Sequence, residues 1–228
     1  MRLRETVVGA ISRWSEARRR ARGEIFRAQL TPTEQDRILD LGSEEGGHIA
    51  TIVGFRENVT IADIDAAALE RGRARYGFRT ALLGESDSLP FADSEFDIVF
   101  CSSVIEHVTV DKDSLQGLRD GRAFREASWE HQQRFADEIR RVGKRYFVQT
   151  PDKWYPVESH TWLPVVIVVL PRSLQLRLVG WLNRWWIKPT QVDWNLLTAS
   201  DMAELFPEAE IVRERTLGLS KSLIAVRR

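Results

Sequence analysis

The chain has 228 residues, a length typical of one domain with a small insertion and sufficient to bury a sizeable core. Lysine plus arginine and aspartate plus glutamate number 33 each, so the balanced charge argues against nucleic-acid binding. The single cysteine, Cys101, excludes an internal disulfide and fits a reducing compartment. The sequence shows neither a signal-peptide core nor the roughly 20 apolar residues of a membrane-spanning helix, so we expect a cytoplasmic protein.

Positive charge is concentrated at the N-terminus, where residues 1–29 contain eight arginines and three glutamates. Apolar side chains fall near one face of a helix there: Val7, Ile11, Trp14, Ala21 and Ile25. We therefore predict a basic N-terminal helix over residues 1–30, followed by a domain over residues 31–228. Two hypotheses stay open for this helix. It packs on the domain and leaves its arginines in water, or it contacts an anionic surface such as a membrane.

Strand and helix patterns alternate along the rest of the chain. Strands are predicted at 37–41, 59–64, 78–83, 96–102, 145–149, 210–215 and 222–226. Helices are predicted at 47–54, 66–75, 121–142 and 199–205, with Asp65 and Thr198 as N-caps. The alternation indicates a doubly wound α/β fold, a three-layer sandwich with helices on both faces of a mostly parallel seven-stranded sheet. The last two strands are joined through Gly218 by a turn too short for a crossover, which predicts an antiparallel edge strand.

Acidic residues follow the strands, at the edge where such a sheet binds its ligand. The turn Gly42-Ser43-Glu44-Glu45-Gly46 follows the first strand, and Asp63 ends the second. A ligand with several phosphates would be repelled there, whereas one with a ribose and a positive charge would not. S-adenosylmethionine fits this description, because it carries a sulfonium, an ammonium and a ribose but no phosphate. Gly42 would let the backbone approach it, and Asp63 would accept both ribose hydroxyls.

Four segments resemble class I S-adenosylmethionine-dependent methyltransferases of the small-molecule type, in order and spacing, over about residues 36–151. They are ILDLGSEEGG, VTIADID, GESDSLPFADSEFDIVFCSSVIEHV and FADEIRRVGKRYFVQTP. The segment LLTASDMAELFPEAEIVRERTLGLSKSLIAVR resembles the C-terminal part of the same family. The resemblance implies that Asp40 fixes the turn or faces the methionyl ammonium, that Glu85 reads the adenine edge, and that Ser102 lies where the methyl group meets the acceptor. The predicted cofactor residues are Asp40, Gly42, Ser43, Glu44, Gly46, Asp63, Ile64, Glu85, Ser86 and Ser102.

The chain departs from the family at three positions. Glu44 stands where the family's turn has glycine, and Glu85 stands where it has aspartate. Ser103 occupies the place of the first metal-binding acid in some quinone-biosynthesis relatives, so no metal site is predicted. Glu44 also keeps an alternative function open, namely a non-catalytic nucleoside-binding module on the same fold. A nicotinamide-dependent oxidoreductase is disfavoured, because residues 42–47 do not make the required G-x-G-x-x-G turn.

The predicted catalytic residues are His160, His107 and Glu106. Either histidine could take a proton from an oxygen nucleophile, since imidazole titrates near neutrality. His160 is favoured slightly, because it follows the fifth strand beside an insertion. The structural alternative has Glu106 capping the helix after the fourth strand and His107 hydrogen-bonded within the fold.

A tryptophan-rich insertion at about 152–195 separates the fifth strand from the final helix and holds six of the eight tryptophans. A helical stripe is predicted at Leu174, Leu178, Trp181 and Trp185, flanked by Arg172, Arg177, Arg184 and Lys188. This composition is typical of a membrane-interface element or of a lid over an apolar acceptor. The alternative is packing on the domain or on a second subunit of a homodimer. The acceptor is expected to be a small molecule, a glycan or a lipid-linked compound methylated at oxygen, with peripheral contact to the inner face of the membrane left open.

Overall fold

The computed structural model describes residues 2–84, 88–110, 118–157, 163–184 and 190–228, and the side chains of the first helix from Glu16 onward. Its strands are β1 Ile38–Leu41, β2 Val59–Asp63, β3 Arg79–Leu82, β4 Phe96–Ser102, β5 Gly143–Pro151, β6 Glu210–Thr216 and β7 Leu219–Arg227. Its helices are α1 Arg2–Leu30, α2 Gly47–Ile52, α3 Ala66–Tyr76, α4 Gly121–Val142, α5 Val166–Val169, α6 Arg172–Leu182 and α7 Ala199–Leu205. A short 3₁₀ helix, Ile105–His107, follows β4.

The seven strands form one sheet in the order β3-β2-β1-β4-β5-β7-β6. All pairs from β3 to β5 are parallel, and β7 is antiparallel to both β5 and β6. The predicted α/β sheet is confirmed, and the strand that runs against the others is β7, one place inside the edge strand β6. Leu41 lies level with Ala62 in β2 and with Cys101 in β4. The turns after these three strands therefore open at one edge of the sheet, on either side of the point where the strand order reverses.

Helices cover both faces of the sheet, as the alternating pattern predicts. On one face, α4 and α7 pack Ile139 and Met202 against a core that includes Val99 of β4. On the other face, α1, α2 and α3 bury Phe26, Ile49 and Leu69 against the opposite sides of the same strands. Because the central strands are buried on both faces, they consist mainly of apolar residues. Polar residues that can bind a ligand lie in the turns after the strands.

Local signals fix the ends of several elements. The Asp65 carboxylate accepts from the N–H groups of Ala67 and Ala68 at 2.9 and 3.0 Å, which confirms it as the N-cap of α3. Thr198 forms a capping box with Asp201 at the start of α7, also as predicted. β5 is longer than its apolar pattern indicates, because Pro151 still lies in register with Ser222 of β7, and the next residue, Asp152, donates its N–H to the Lys221 carbonyl at 2.9 Å.

The described part of α1 packs on the domain through residues spaced by three or four, and Phe26 is fully buried. Its ring meets the ring of Phe100 edge-on at 5.2 Å. Arg19 and Arg20 remain exposed, in line with the packing hypothesis. Arg22 departs from it, because this side chain is buried with a residue exposure of 8%. Helical periodicity alone treats such an arginine as solvent-facing.

The insertion builds a small core of its own, in which Ile167, Val179, Val192, Trp194 and Leu196 are buried. Of the predicted stripe on α6, Leu178 packs against that core, whereas Leu174 and Trp181 do not. Instead Trp181 is 59% exposed and Leu174 is 45% exposed, whereas Val179 faces inward. Four predicted members of the insertion lie outside the described residues: Trp162, Trp185, Trp186 and Lys188. Within the described segments, no helix combines the length and apolar character needed to cross a bilayer.

Candidate functional site

The turn after β1 is held against the end of β2 by one hydrogen bond. Glu44 has a left-handed backbone with φ of 56°, the conformation for which the resembling family uses glycine. Its N–H donates to Oδ2 of Asp63 at 2.8 Å. Gly42 also has a positive φ of 74°, and a Cβ there would lie 2.7 Å from Cγ1 of Val104. The turn therefore keeps a glycine-like shape even though glutamate replaces glycine at position 44.

The remaining predicted turn residues serve packing and anchoring. Gly46 has φ of 74°, and a Cβ there would lie 2.8 Å from Cγ2 of Ile61, so packing of the core requires glycine at this position. Glu45 forms ion pairs with Arg71 at 3.6 Å and Arg75 at 3.4 Å on α3. Ser43 lies on the α1 side of the turn, beside a separate cavity of about 740 Å³.

A crevice of about 460 Å³ opens at the carboxyl ends of β1, β2 and β4. Five predicted site residues line it together: Gly42, Glu44, Asp63, Ile64 and His107. Ser103, Val104 and Phe135 complete the wall on the β4 side. The volume and the mixture of apolar walls with a few polar groups are typical of a small-molecule site.

Asp63 is the acidic group at the centre of this crevice, although only 8% of the residue is exposed. Its second oxygen, Oδ1, accepts from the Asp65 N–H at 3.0 Å, so both oxygens are fixed by backbone donors. A carboxylate has about four acceptor positions, which leaves capacity for two hydroxyl groups. The orientation of Asp63 is therefore set by the fold before any ligand arrives.

Asp40 lies beneath the turn and is fully buried. Among the described residues, no donor is in hydrogen-bonding geometry to either carboxylate oxygen. Burial raises the pKa of Asp40 to about 7, the nearby Ser43 hydroxyl opposes this shift, and the Asp63 charge adds to it. Asp40 does not line the crevice. Its neutral form is the one that the folded chain favours at mildly acidic pH.

A buried polar network joins β4, β5, β6 and α1 beside the crevice. The Arg22 guanidinium donates to the Ser102 hydroxyl at 2.8 Å, and that hydroxyl donates to Oε1 of Gln149 at 2.9 Å. The Ser103 hydroxyl donates to the same oxygen at 3.1 Å. Arg22 also pairs with Glu214 at 3.4 Å. Burial lowers the pKa of Arg22, and Glu214 opposes that shift.

His107 is oriented by an acid from the insertion. Its Nδ1 lies 3.3 Å from Oδ1 of Asp193, and both side chains are about one third exposed, at 37% and 31%. Glu106 points the other way. It is fully buried and accepts from the Thr150 hydroxyl at 3.0 Å, and it does not belong to the described lining of the crevice.

Sequence reasoning placed some residues and missed others. Glu85, Ser86 and His160 lie outside the described residues, and Ser102 is covered by Arg22. Arg22, Gln149 and Asp193 were missed. Gln149 ends the predicted fifth strand, and its position at that edge of the sheet was a signal that could have been used. Neither Arg22 nor Asp193 belongs to a motif that marks it.

Comparison with protein families adds an independent finding, because residues 39–146 match the family described as "Methyltransferase domain". These residues, just under half of the chain, thus match a methyltransferase domain. The match runs from β1 to β5 and so includes the turn, Asp63 and the 3₁₀ helix that holds His107. Curated protein sequences give no significant match.

Solved structures share the methyltransferase fold at low sequence identity. A protein from Pyrococcus horikoshii OT3 superposes with a TM-score of 0.55 at 16% identity, covering 93% of this chain and 89% of its own. A protein from Methanosarcina mazei described as a SAM-dependent methyltransferase gives 0.53 at 16% identity, with coverages of 89% and 96%. The N-methyltransferase NodS from Bradyrhizobium japonicum, solved with S-adenosylhomocysteine, gives 0.51 at 12% identity, with coverages of 91% and 85%. At these sequence identities, the similarity to the solved structures shows a shared fold and nothing about the acceptor.

The methyltransferase crevice fits the cofactor of this class, S-adenosylmethionine. Asp63 offers a fixed acceptor for the ribose, and Ile64, which is 67% exposed, offers an apolar surface beside it. The side chain of Glu44 adds negative charge next to a cationic ligand. Within the described segments, no group of three or more His, Cys, Asp or Glu side chains is arranged to hold a metal ion.

The buried Asp40 predicts a pH dependence of stability. Its folded-state pKa of about 7 lies above the unfolded value, so the native state holds a proton that the unfolded chain loses between about pH 4 and 7. Stability should therefore fall as pH rises through this window and level off above it, by a few kcal/mol at most. Asp40→Asn should remove this part of the slope. We expect the difference in unfolding free energy between Asp40→Asn and the wild type to grow from pH 4 to 7 in urea titrations. A constant difference would contradict the assignment.

Proposed function

We propose that this protein transfers the methyl group of S-adenosylmethionine to an oxygen of a small-molecule, glycan or lipid-linked acceptor, with His107 as the general base. The observation that carries the proposal is that His107, paired with Asp193, lines the same crevice as Asp63 and the Gly42 turn. A base oriented by an acid thus faces the cavity that would hold the cofactor. The alternative is a non-catalytic module that binds the cofactor and transfers nothing.

The cofactor seat is built by residues with distinct tasks. Asp63 holds the ribose through charge-assisted hydrogen bonds, and Ile64 borders the adenine. Gly42 keeps the backbone open to the ligand at the end of β1. The acidic side chains of Glu44 and Asp63 disfavour a ligand with several phosphates, such as a dinucleotide.

The acceptor side supplies the base. With Nδ1 of His107 directed at Asp193, the proton of the acceptor hydroxyl goes to Nε2 as the oxygen attacks. S-adenosylmethionine, held by Asp63 and the Gly42 turn, would supply the electrophilic methyl carbon and would leave as S-adenosylhomocysteine once its bond from sulfur to that methyl carbon has broken. Asp193 stabilises the imidazolium that forms and holds the ring in place. Glu106, fixed by Thr150, acts as a positioning residue for the 3₁₀ helix that carries His107.

We further propose that α6 makes peripheral contact with an anionic membrane. Leu174 and Trp181 are exposed on one face of this helix, and the exposed Arg177 and Arg184 flank them. Apolar and aromatic groups between cations are the composition of an interfacial helix. A lipid-linked acceptor would then reach the protein at the membrane surface.

The ribose contact is tested by Asp63→Asn. Loss of the charge-assisted acceptor should weaken S-adenosylhomocysteine binding by roughly 1.5–3 kcal/mol, about 10- to 150-fold. Isothermal titration calorimetry gives the affinity. The control is Asp65→Asn, which removes the same charge two residues away and keeps an N-cap side chain. Equal affinities for the two variants would show that the nucleoside lies elsewhere.

The general base is tested by His107→Gln. Transfer of labelled methyl from S-adenosylmethionine to an extract of lipids and glycans should fall by about 10²–10⁴-fold, with S-adenosylhomocysteine affinity unchanged. Asp193→Asn should reduce transfer less, because the imidazole loses the charge of the carboxylate that orients it and stabilises the imidazolium. His131→Gln, on α4, is the matched control. A loss of methyl transfer of less than about fivefold in His107→Gln would show that His107 is not the base. If the wild type transfers no methyl group either, the non-catalytic alternative is favoured.

Membrane contact is tested by flotation with vesicles of phosphatidylglycerol and of phosphatidylcholine. The wild type should float preferentially with the anionic vesicles, since each arginine near such a surface contributes about 1 kcal/mol. The double variant Leu174→Ser/Trp181→Ser should lose the salt-resistant part of this binding. Leu217→Ser changes a leucine that is 96% exposed in the β6–β7 turn and should bind like the wild type. Equal flotation with both vesicle types would contradict the proposal.

A further inference from the structure

A second cavity, of about 640 Å³, lies outside the cofactor crevice. It is bounded by the start of α4, by residues 153–154, by the link between α5 and α6, and by residues 194–196. Its described lining shares no residue with the crevice that holds Asp63 and His107. The proposed methyl transfer gives this cavity no role.

The charge of this cavity is strongly positive. The cationic residues that line it are Arg119, Arg122, Arg125, Lys153 and Arg172. Asp120 is the one acid in its described lining, and its carboxylate accepts from the Arg122 and Ala123 N–H groups as the N-cap of α4. Arg122 pairs with Glu126 at 2.7 Å. In the described part of the chain, no carboxylate lies within 4.0 Å of the charged groups of Arg119, Arg125 or Lys153.

Arg172 forms a fixed part of the cavity wall. Its residue exposure is 5%, its Nε donates to the Leu118 carbonyl at 2.8 Å, and its Nη2 donates to the Val192 carbonyl at 3.1 Å. Its guanidinium lies 3.4 Å from the centre of the Phe124 ring. No salt-bridge partner for it occurs among the described residues; burial lowers its pKa, and the charge of Asp193 opposes that shift. A buried cation without a direct ion pair is costly, and an anion in the cavity would offset that cost.

Apolar groups border the same cavity. Trp154 is 58% exposed and Val169 is 59% exposed, and both belong to the lining. Trp154 also contacts the Lys153 ammonium, which lies 5.5 Å from its ring centre. Cations beside exposed apolar side chains match a ligand that combines a phosphate with an apolar substituent.

One segment of the insertion connects this cavity to the crevice. Trp194, Asn195 and Leu196 all line the cavity, and Asn195 also donates its N–H to the Glu106 carbonyl at 2.8 Å. Asp193, two residues before Asn195, orients His107. A ligand held in the cavity therefore lies one chain segment away from the base.

We propose that this cavity binds a phosphate or diphosphate group of the methyl acceptor. The identification of the ligand as the acceptor rests on the proposed function, whereas the anion site itself does not. Arg172 provides a preorganised cation, and Arg119, Arg125 and Lys153 close around the anion from the surface. Negative charge in the cofactor crevice repels phosphates, whereas positive charge in this cavity attracts them. The cofactor and the phosphate group of the acceptor would therefore bind at two separate sites.

The test is calorimetric titration of the full chain with pyrophosphate. Wild type should show saturable binding that weakens with added sodium chloride. The double variant Arg125→Gln/Lys153→Gln should bind at least about tenfold more weakly. The matched control is Arg79→Gln/Arg215→Gln, which removes two exposed arginines from β3 and β6 and should bind as the wild type does. Absence of saturable heat in the wild type, or equal loss in both double variants, would overturn the proposal.

Two further titrations distinguish the source of the phosphate and the fate of the proposed function. Dodecyl phosphate binding more tightly than inorganic phosphate would indicate a lipid-linked ligand, and equal affinities would indicate a soluble phosphate ester. S-adenosylhomocysteine should bind Arg125→Gln/Lys153→Gln with wild-type affinity. If pyrophosphate fails to bind while S-adenosylhomocysteine binds, the cavity proposal alone is wrong. If S-adenosylhomocysteine fails to bind the wild type, the cofactor assignment is wrong. The anion site is then tested by the pyrophosphate titration alone.

Discussion

The hydrogen bond from the Glu44 N–H to the Asp63 carboxylate is the constraint on which the methyltransferase site depends. It joins the turn after β1 to the end of β2 and gives Asp63 one orientation. A non-glycine residue in the left-handed region costs about 1–2 kcal/mol, whereas a hydrogen bond to a charged group contributes about 1.5–3 kcal/mol. The bond is therefore strong enough to hold glutamate in a glycine-like conformation. The ion pairs of Glu45 with α3 support the same turn from outside.

Charge is distributed unevenly around the sheet edge. Carboxylates dominate where a cationic cofactor is expected, and Asp40 is buried there in an environment that favours its neutral form. Cations are buried elsewhere, with Arg22 beside β4 and β5 and Arg172 in the insertion. The N-terminal helix thus contributes a buried cation beside the crevice and also covers the sheet. Its arginines do not form one uniform surface.

The fold was largely predictable, because each strand and helix has a clear periodicity and most ends carry a cap or a turn signal. Asp63 and Gly42 were predictable from their places directly after strands. Arg22 was not, because its burial depends on Glu214 and Ser102, which only the folded chain brings near it. Asp193 was missed for the same reason, since its partner His107 comes from a distant segment. Gly46 was predicted as a cofactor residue, and close packing against Ile61 and Phe78 is a further reason for glycine there that the sequence did not reveal. Amphipathic spacing on α6 identified a stripe but could not tell an inward face from an outward one, and Trp181 faces outward.

The most direct measurement is calorimetric titration of the wild-type chain with S-adenosylhomocysteine, with NADH as a competitor in a second titration. A preformed turn with Asp63 already oriented predicts saturable binding of one molecule per chain that NADH does not reduce. The absence of saturable binding would contradict the account, because it would mean that glutamate at position 44 leaves the crevice unable to hold the cofactor of its own fold class.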